Sequence, residues 1–294
     1  MGGIIGTIGY KITINYNSHG KQQTLCFSNI GKIGYAVDIN VSKNSSQGTH
    51  TADITFYNLK DDITRFLFRT ENTFGKSGTI EIVANRGMHT GKIFKGEIVR
   101  AIPDGFPETT FTINATCGNF FNELFVISAT NKQTRHDLKQ LFASQMGYTL
   151  QDYIEEDKII KLTSNFYYQG RSPLRRLQVF FQNQNVYIDG NNLCFLPKED
   201  LSAVAGRNAV IRSLSEEYGL IGTISVNDAT SINAKNIFLP DLMLGQKIKL
   251  NCVFPNNARY NGDWFINGLQ HSISIKNTIT ATTDISLAST NFSL

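Results

Sequence analysis

The chain has 294 residues, 41% of them hydrophobic and 18% charged, with a net charge of +4. That length suffices for two or three small domains with a real core. No Lys/Arg cluster calls for a nucleic-acid partner. No run reaches the roughly 20 apolar residues of a membrane span. The N-terminal MGGIIGTIGY lacks the basic start and apolar run of a signal peptide. Gly6 breaks the myristoylation pattern. These features predict a soluble protein made in a cytoplasm, without stable membrane insertion.

Residues 1–118 read as β. Tyr10, Ile12, Ile14 and Tyr16 alternate with polar residues, as do Tyr35, Val37, Ile39 and Val41. In TADITFYNLKDDITRFL, Ala52, Ile54 and Phe56 keep the period of two. Leu59, Ile63, Phe66 and Leu67 then take helical spacing, with Asn58 at the position of a helix N-cap. TIEIV, GKIFKGEIV and TTFTINAT follow as further strands, the last with Phe111, Ile113 and Ala115 on one face.

Residues 119–204 change character to α+β. Leu138, Leu141, Phe142 and Met146 predict a helix closed by Gly147. Ser172 and Pro173 fit the N-cap and first turn of a second helix carrying Leu174, Leu177 and Phe181. Val186 and Ile188 face Leu193 and Phe195 across an Asp-Gly hairpin signal. Residues 205–294 return to β, with Ile248, Leu250 and Cys252 alternating ahead of WFINGLQHSISIKN and TATTDISLA. An echo joins the outer blocks. Gly96 and Gly268 each follow an aromatic and lie about equally far ahead of Ala115 and Ala288. Two related β modules flanking an insert would produce it.

Nothing along the chain reads as an active site. Cys26, Cys117, Cys194 and Cys252 are far apart and sit in strand-like contexts, as buried reduced thiols would. His19, His50, His89, His136 and His271 lack metal-binding spacing. His136 is expected exposed in a first helical turn, and His271 as a satisfied histidine on a strand. The carboxylates Glu155–Asp157, Glu199–Asp200 and Glu216–Glu217 are expected to point apart into solvent. No nucleophile elbow, phosphate loop or dinucleotide fingerprint occurs. RSPLRR, the densest basic stretch, fits a solvated helix face. The pairs Phe120-Phe121, Tyr167-Tyr168 and Phe180-Phe181 could stack on sugars, but half-core, half-interface positions are the simpler reading. No catalytic, cofactor or metal residue is assigned.

Three collinear stretches resemble the tail baseplate hub proteins of bacteriophages, including contractile-phage hubs and the late control protein D group. GTHTADITFYNLKDDITRFL, followed by GTIEIVANR and GKIFKGEIVRA, is similar to a strand-to-helix signature and its sequel, with ANRG in place of the usual Gly-Tyr. YYQGRSPLRRLQVFFQNQNVYIDGNNLCFLP resembles the middle segment. The stretch from EYGLIGT to HSISIKN resembles the closing signature, with Leu239-Pro240, Gly245, Gly262 and His271 in place and Thr223 where a serine is frequent.

The resemblance implies a mainly β fold with an α+β insert: two tail-tube-like β-barrel modules in one chain, assembling as a trimeric pseudo-sixfold ring. The implied role is structural, not enzymatic: a virion adaptor joining a threefold central spike to a sixfold tail tube. It would nucleate the tube, meet other baseplate proteins and pass DNA through a polar lumen during genome ejection. Interface candidates are Asn58, Leu59, Ile63, Phe66, Pro103, Phe106, Arg171, Arg175, Pro255 and Tyr260. The alternatives are a tail-associated cell-wall hydrolase and a glycan-binding adsorption protein.

Overall fold

The structure, a computed structural model, describes residues 8–18, 21–30, 34–46, 49–64, 78–104, 109–118, 123–198, 212–228 and 230–289. The first block contains β1 (Ile8–Ser18), β2 (Lys21–Ser28), β3 (Val37–Asn44), β4 (Thr51–Tyr57), β5 (Thr79–Arg86), β6 (His89–Asp104) and β7 (Thr110–Thr116). The middle block contains β8 (Phe125–Ala129), α1 (Arg135–Gln145), β9 (Thr149–Asp152), β10 (Phe166–Gly170), α2 (Pro173–Phe180), β11 (Gln184–Asp189) and β12 (Asn192–Pro197). The last contains β13 (Arg212–Leu214), β14 (Leu220–Asp228), β15 (Ser231–Ile237), β16 (Lys247–Leu250), a helical turn α3 (Pro255–Ala258), β17 (Gly262–Ile275) and β18 (Ile279–Ala288).

Among the described residues, thirteen strands of the outer blocks form one sheet. Its hydrogen-bonded order contains one arrangement twice. β3, β4, β7, β6 and β5 are neighbours in that order, and so are β14, β15, β18, β17 and β16. The two sets join where β17 pairs β3. The echo between the outer blocks therefore corresponds to repeated topology, but the two glycines are not equivalent. Gly96 lies ahead of the β6–β7 bulge and Gly268 directly after the β17–β18 bulge. Gly96 is needed for close approach, because a Cβ there would stand 2.6 Å from the Thr116 carbonyl oxygen.

Alternation works as the sequence predicts. Tyr10, Ile12, Ile14, Val37, Ile39, Val41, Ala52, Ile54, Phe56, Phe111, Ile113 and Ala115 all enter one core. Among the described residues three cores form, one per block in chain order, and they cross the block boundaries. Phe238 and Ile273 of the last block complete the first core, and Tyr187, Cys194 and Leu196 of the middle block enter the third, that of the last block. Cys26 departs from expectation and is exposed, because Leu25 and Phe27 on either side point towards the core.

The strand-to-helix junction also differs from the sequence reading. Asn58 is left-handed (φ 53°) and is not the N-cap; the helical turn begins at Asp61, and the Thr64 amide donates to the Lys60 carbonyl at 3.0 Å. Asn58 instead donates its amide to the Thr109 carbonyl at 2.9 Å, tying the turn to the neighbouring strand. Leu59 is buried and Ile63 packs on the first core, while Phe66 and Leu67 lie outside the described residues.

The helices of the middle block follow their signals. Thr134 and Asp137 form a capping box on α1, and Gly147 ends it at φ 74°. Ser172 and Pro173 start α2, but the Ser172 side chain makes no capping bond. In the β11–β12 hairpin, Val186 pairs Phe195 and Ile188 pairs Leu193, as expected.

Candidate functional site

Period-two alternation that buries one face of the sheet presents another, and in the middle of the sheet that second face is polar and mostly uncharged. Asp38, Asn40, Ser42 and Asn44 lie on it from β3, and Thr51, Asp53 and Thr55 from β4. Thr110, Thr112 and Asn114 continue it on β7; Gln270, Ser272 and Ser274 on β17; Thr280, Thr282, Asp284 and Ser286 on β18. The register aligns these side chains into rows. Thr282, Ser272, Asn40, Asp53 and Asn114 are successive cross-strand partners. One open groove on this face is lined by Ser42, Asn44, Thr223, Ser225, Gln270 and Ser286, and another by Asp38, Asn40, Ser272, Ser274, Thr280 and Thr282.

Its charges are answered locally. Asp38 accepts from Ser274 Oγ at 2.5 Å, Tyr57 Oη at 2.6 Å and Lys276 Nζ at 2.9 Å. Asn114 donates to Asp53 at 2.5 Å, and Lys235 stands 3.8 Å from Asp284. The Lys276 ammonium is stabilised by hydrogen bonds to Tyr57 and Asp38, which raise its pKa. Such a surface offers many hydrogen-bonding groups and few charges without a nearby partner.

Beneath lies a junction of all three blocks. Lys43 Nζ of β3 donates to Asp189 Oδ1 of β11 at 2.7 Å, with the lysine buried and the aspartate half-buried. Burial alone would raise the Asp189 carboxyl, but the Lys43 charge and its hydrogen bond hold it below its usual range. Burial, reinforced by Lys43, depresses His271 to about 3. His50 falls to about 4, again chiefly through burial. Both imidazoles are therefore neutral at pH 7. His271 Nδ1 meets Thr283 Oγ1 at 3.1 Å, but its Nε2 has no hydrogen-bond partner, so it is half-satisfied, contrary to expectation. Among the described residues no cluster of His, Cys, Asp and Glu could hold a metal ion.

A rigid loop projects from the last block. Asn257 is buried; its Oδ1 accepts from the Ile224 amide at 2.9 Å, and its Nδ2 donates to Glu216 and to the Gly222 carbonyl, both at 3.1 Å. Glu216 also accepts from the Val253 amide at 3.0 Å. Val253 and Phe254 are left 74% and 62% exposed on this braced support, beside exposed Pro255.

Of the other predicted interface residues, Pro103, Arg171 and Arg175 are exposed and Phe106 lies outside the described residues. Tyr260 is a correction: it is 1% exposed and packs in the third core, where Trp264 Nε1 donates to its carbonyl at 2.8 Å. His136 is half-buried, with Nδ1 2.8 Å from Asp152. Asp157 is buried, not solvated, because Lys139, Arg135 and Gln184 converge on it. Tyr167 is exposed and Phe181 buried, while Phe120-Phe121 and Glu199-Asp200 lie outside the described residues. The polar face is legible in kind from the sequence, where Ser, Thr and Asn fill the positions between the apolar ones.

A family model described as baseplate hub gp41 matches residues 11–283. The chain belongs to this family of baseplate hubs. The hub resembles the tail protein from Neisseria meningitidis MC58 with a TM-score of 0.61 at 8% identity, over 97% of this chain and 98% of that one. It resembles the 43 kDa tail protein of prophage MuSo2 from Shewanella oneidensis with a TM-score of 0.57 at 9% identity, over 96% and 97%. A chain of the half-lidded Francisella PdpA-VgrG complex aligns with a TM-score of 0.61 at 11% identity, over 99% of the hub and 60% of that chain. No curated protein sequence matches. At these identities the structures establish a shared fold, and the family gives the hub a structural role in a phage tail baseplate. Among the described residues no helix is long and apolar enough to cross a membrane.

Proposed function

We propose that the hub works as a homotrimeric ring of two tube-like modules per chain, with the polar sheet face lining its lumen. The ring adapts a threefold spike to the sixfold tail tube and nucleates the tube, presenting six near-equivalent docking surfaces from three chains. DNA passes through the lumen without stable binding. The observation that carries this reading is the twice-repeated five-strand order joined into one sheet whose polar face has its carboxylates hydrogen-bonded on site. A repeat within one chain is what matching threefold to sixfold symmetry requires, and a weakly charged face is what a conduit for a polyanion requires. The braced Val253–Pro255 loop is suited to docking a tube or spike subunit, because its apolar tip is already ordered. The test is solution mass by light scattering with negative-stain imaging. Three times the chain mass and ring-shaped particles are expected. A monomer that stays monomeric beside candidate spike and tube proteins would overturn the reading.

A further inference from the structure

The two five-strand sets can be aligned residue by residue, and the alignment exposes an asymmetry. Val41, Ala52, Ala115 and Ile98 form one cross-strand row over β3, β4, β7 and β6. Val226, Ile232, Leu287 and Ile266 form the corresponding row over β14, β15, β18 and β17. All eight are apolar, and Ile98 and Ile266 each stand directly before a bulge. Val226 is thus the counterpart of Val41. His271 is the fifth residue after Ile266, and Pro103 the fifth after Ile98, so Pro103 is the counterpart of His271.

Inside the chain, His271 and Val41 are direct partners at the β17–β3 junction, and both are fully buried. Their counterparts are not. Val226 is 42% exposed and Pro103 is exposed. β3 is covered on both sides, by β4 and β17, whereas β14 ends the sheet among the described residues. Val226 and Pro103 sit at core positions of the repeat and, among the described residues, lack the neighbour that the other junction supplies.

We infer that a second copy of the chain is that neighbour: Ser225–Asn227 of β14 pairs antiparallel with Ile102–Asp104 of β6 in the adjoining subunit, setting Val226 opposite Pro103. This copies the intrachain junction between chains. The interface is heterologous, the kind that closes a ring. It caps an open sheet edge and buries two exposed apolar residues. Proline is tolerated there because β6 meets its partner at the end of the strand. The inference rests on the ring reading and goes further by fixing which strands meet and in what register.

The test is cysteine cross-linking. Opposed residues of antiparallel strands have Cα atoms about 4.5–5.5 Å apart, within disulfide range. In a C26S background, V226C with P103C is oxidised and run without reductant, beside V226C with M88C as a misaligned control. Covalent trimers from the matched pair alone are expected. A trimer by light scattering that does not cross-link at V226C/P103C, or links equally in the control, overturns the pairing and leaves the ring standing. A wild-type monomer overturns both. Should the double variant misfold, V226R replaces it. With Trp264 fluorescence unchanged, it is expected to lose the trimer mass completely, and a V226R trimer would overturn the pairing.

Discussion

Two regions of the hub neutralise charge by similar means for different reasons. In the middle block, Lys139 is fully buried, 2.8 Å from Asp152 and 2.5 Å from Asp157, with its ammonium over the rings of Phe181 and Phe195. On the polar sheet face, Lys276 pairs Asp38 at 2.9 Å with much of both side chains in solvent. Burial makes the first set obligatory, since a carboxylate removed from water and left unpaired is very costly. Water could serve the second set nearly as well. Pairing on the face therefore shapes the surface potential more than it stabilises the fold.

The sharpest way to break the comparison is at Lys139. K139A takes the buried ammonium away from two buried carboxylates, leaving the partially exposed His136 and Arg135 and the amide of Gln184 beside them. It is expected to cost about 3–5 kcal/mol, a large part of a domain's roughly 5–15 kcal/mol. Denaturant titration would read it, and a loss under about 1 kcal/mol would show that water already reaches the site. K139M with D152N and D157N should regain much of the stability, because no unpaired charge remains. At the junction, K43A leaves Asp189 alone. Asp189 retains some exposure, so a loss near the lower end, about 3 kcal/mol, is expected. Trp264, the single tryptophan and part of the third core, reports whether the last block loosens with it.

A third prediction uses pH. Burial, aided by Glu123, raises Glu97 from 4.5 to about 7. Between those values the folded chain holds a proton that the unfolded chain has released, so stability declines as pH rises from about 4.5 to about 7. His50 and His271 act oppositely. Their folded values of about 4 and about 3 lie below the usual 6.5, so stability declines as pH falls below 6.5. E97Q should flatten the decline between pH 6.5 and 8 and steepen the histidine-driven fall from pH 6.5 to 5, where Glu97 had opposed it, as measured by denaturation midpoints at pH 5, 6.5 and 8. An unchanged slope between pH 5 and 8 would remove Glu97 from the account.

These charge sites mark the limit of what the sequence discloses. The strands and both middle-block helices are legible because alternation and helical spacing are local. Asp157 looked solvated because its partners Lys139 and Gln184 are distant in sequence and meet it only after α1 and β11 pack. Tyr260 looked like a loop residue because the buried Asn257 that folds its loop inward is one polar residue among many. The polar face was readable in kind, but its continuity from β18 to β7 depends on β17 meeting β3, a pairing between opposite ends of the chain.

The smallest effect on folding is expected on that face, and it bears most directly on function. Asn40 and Ser272 are direct cross-strand partners at its centre, and Asn40 is exposed. N40K with S272K adds two positive charges without touching the core, so stability should shift by no more than about 0.5 kcal/mol per site. A trimeric ring would then carry six new cations around its lumen, and cations facing phosphates create salt-dependent retention. Particles built with this variant should assemble normally but release DNA slowly, with the delay shrinking as ionic strength rises. N40Q with S272T, polar and neutral, should behave as wild type. If the lysine variant also releases DNA at the wild-type rate at low salt, the face does not line the conduit, whatever the symmetry of the ring.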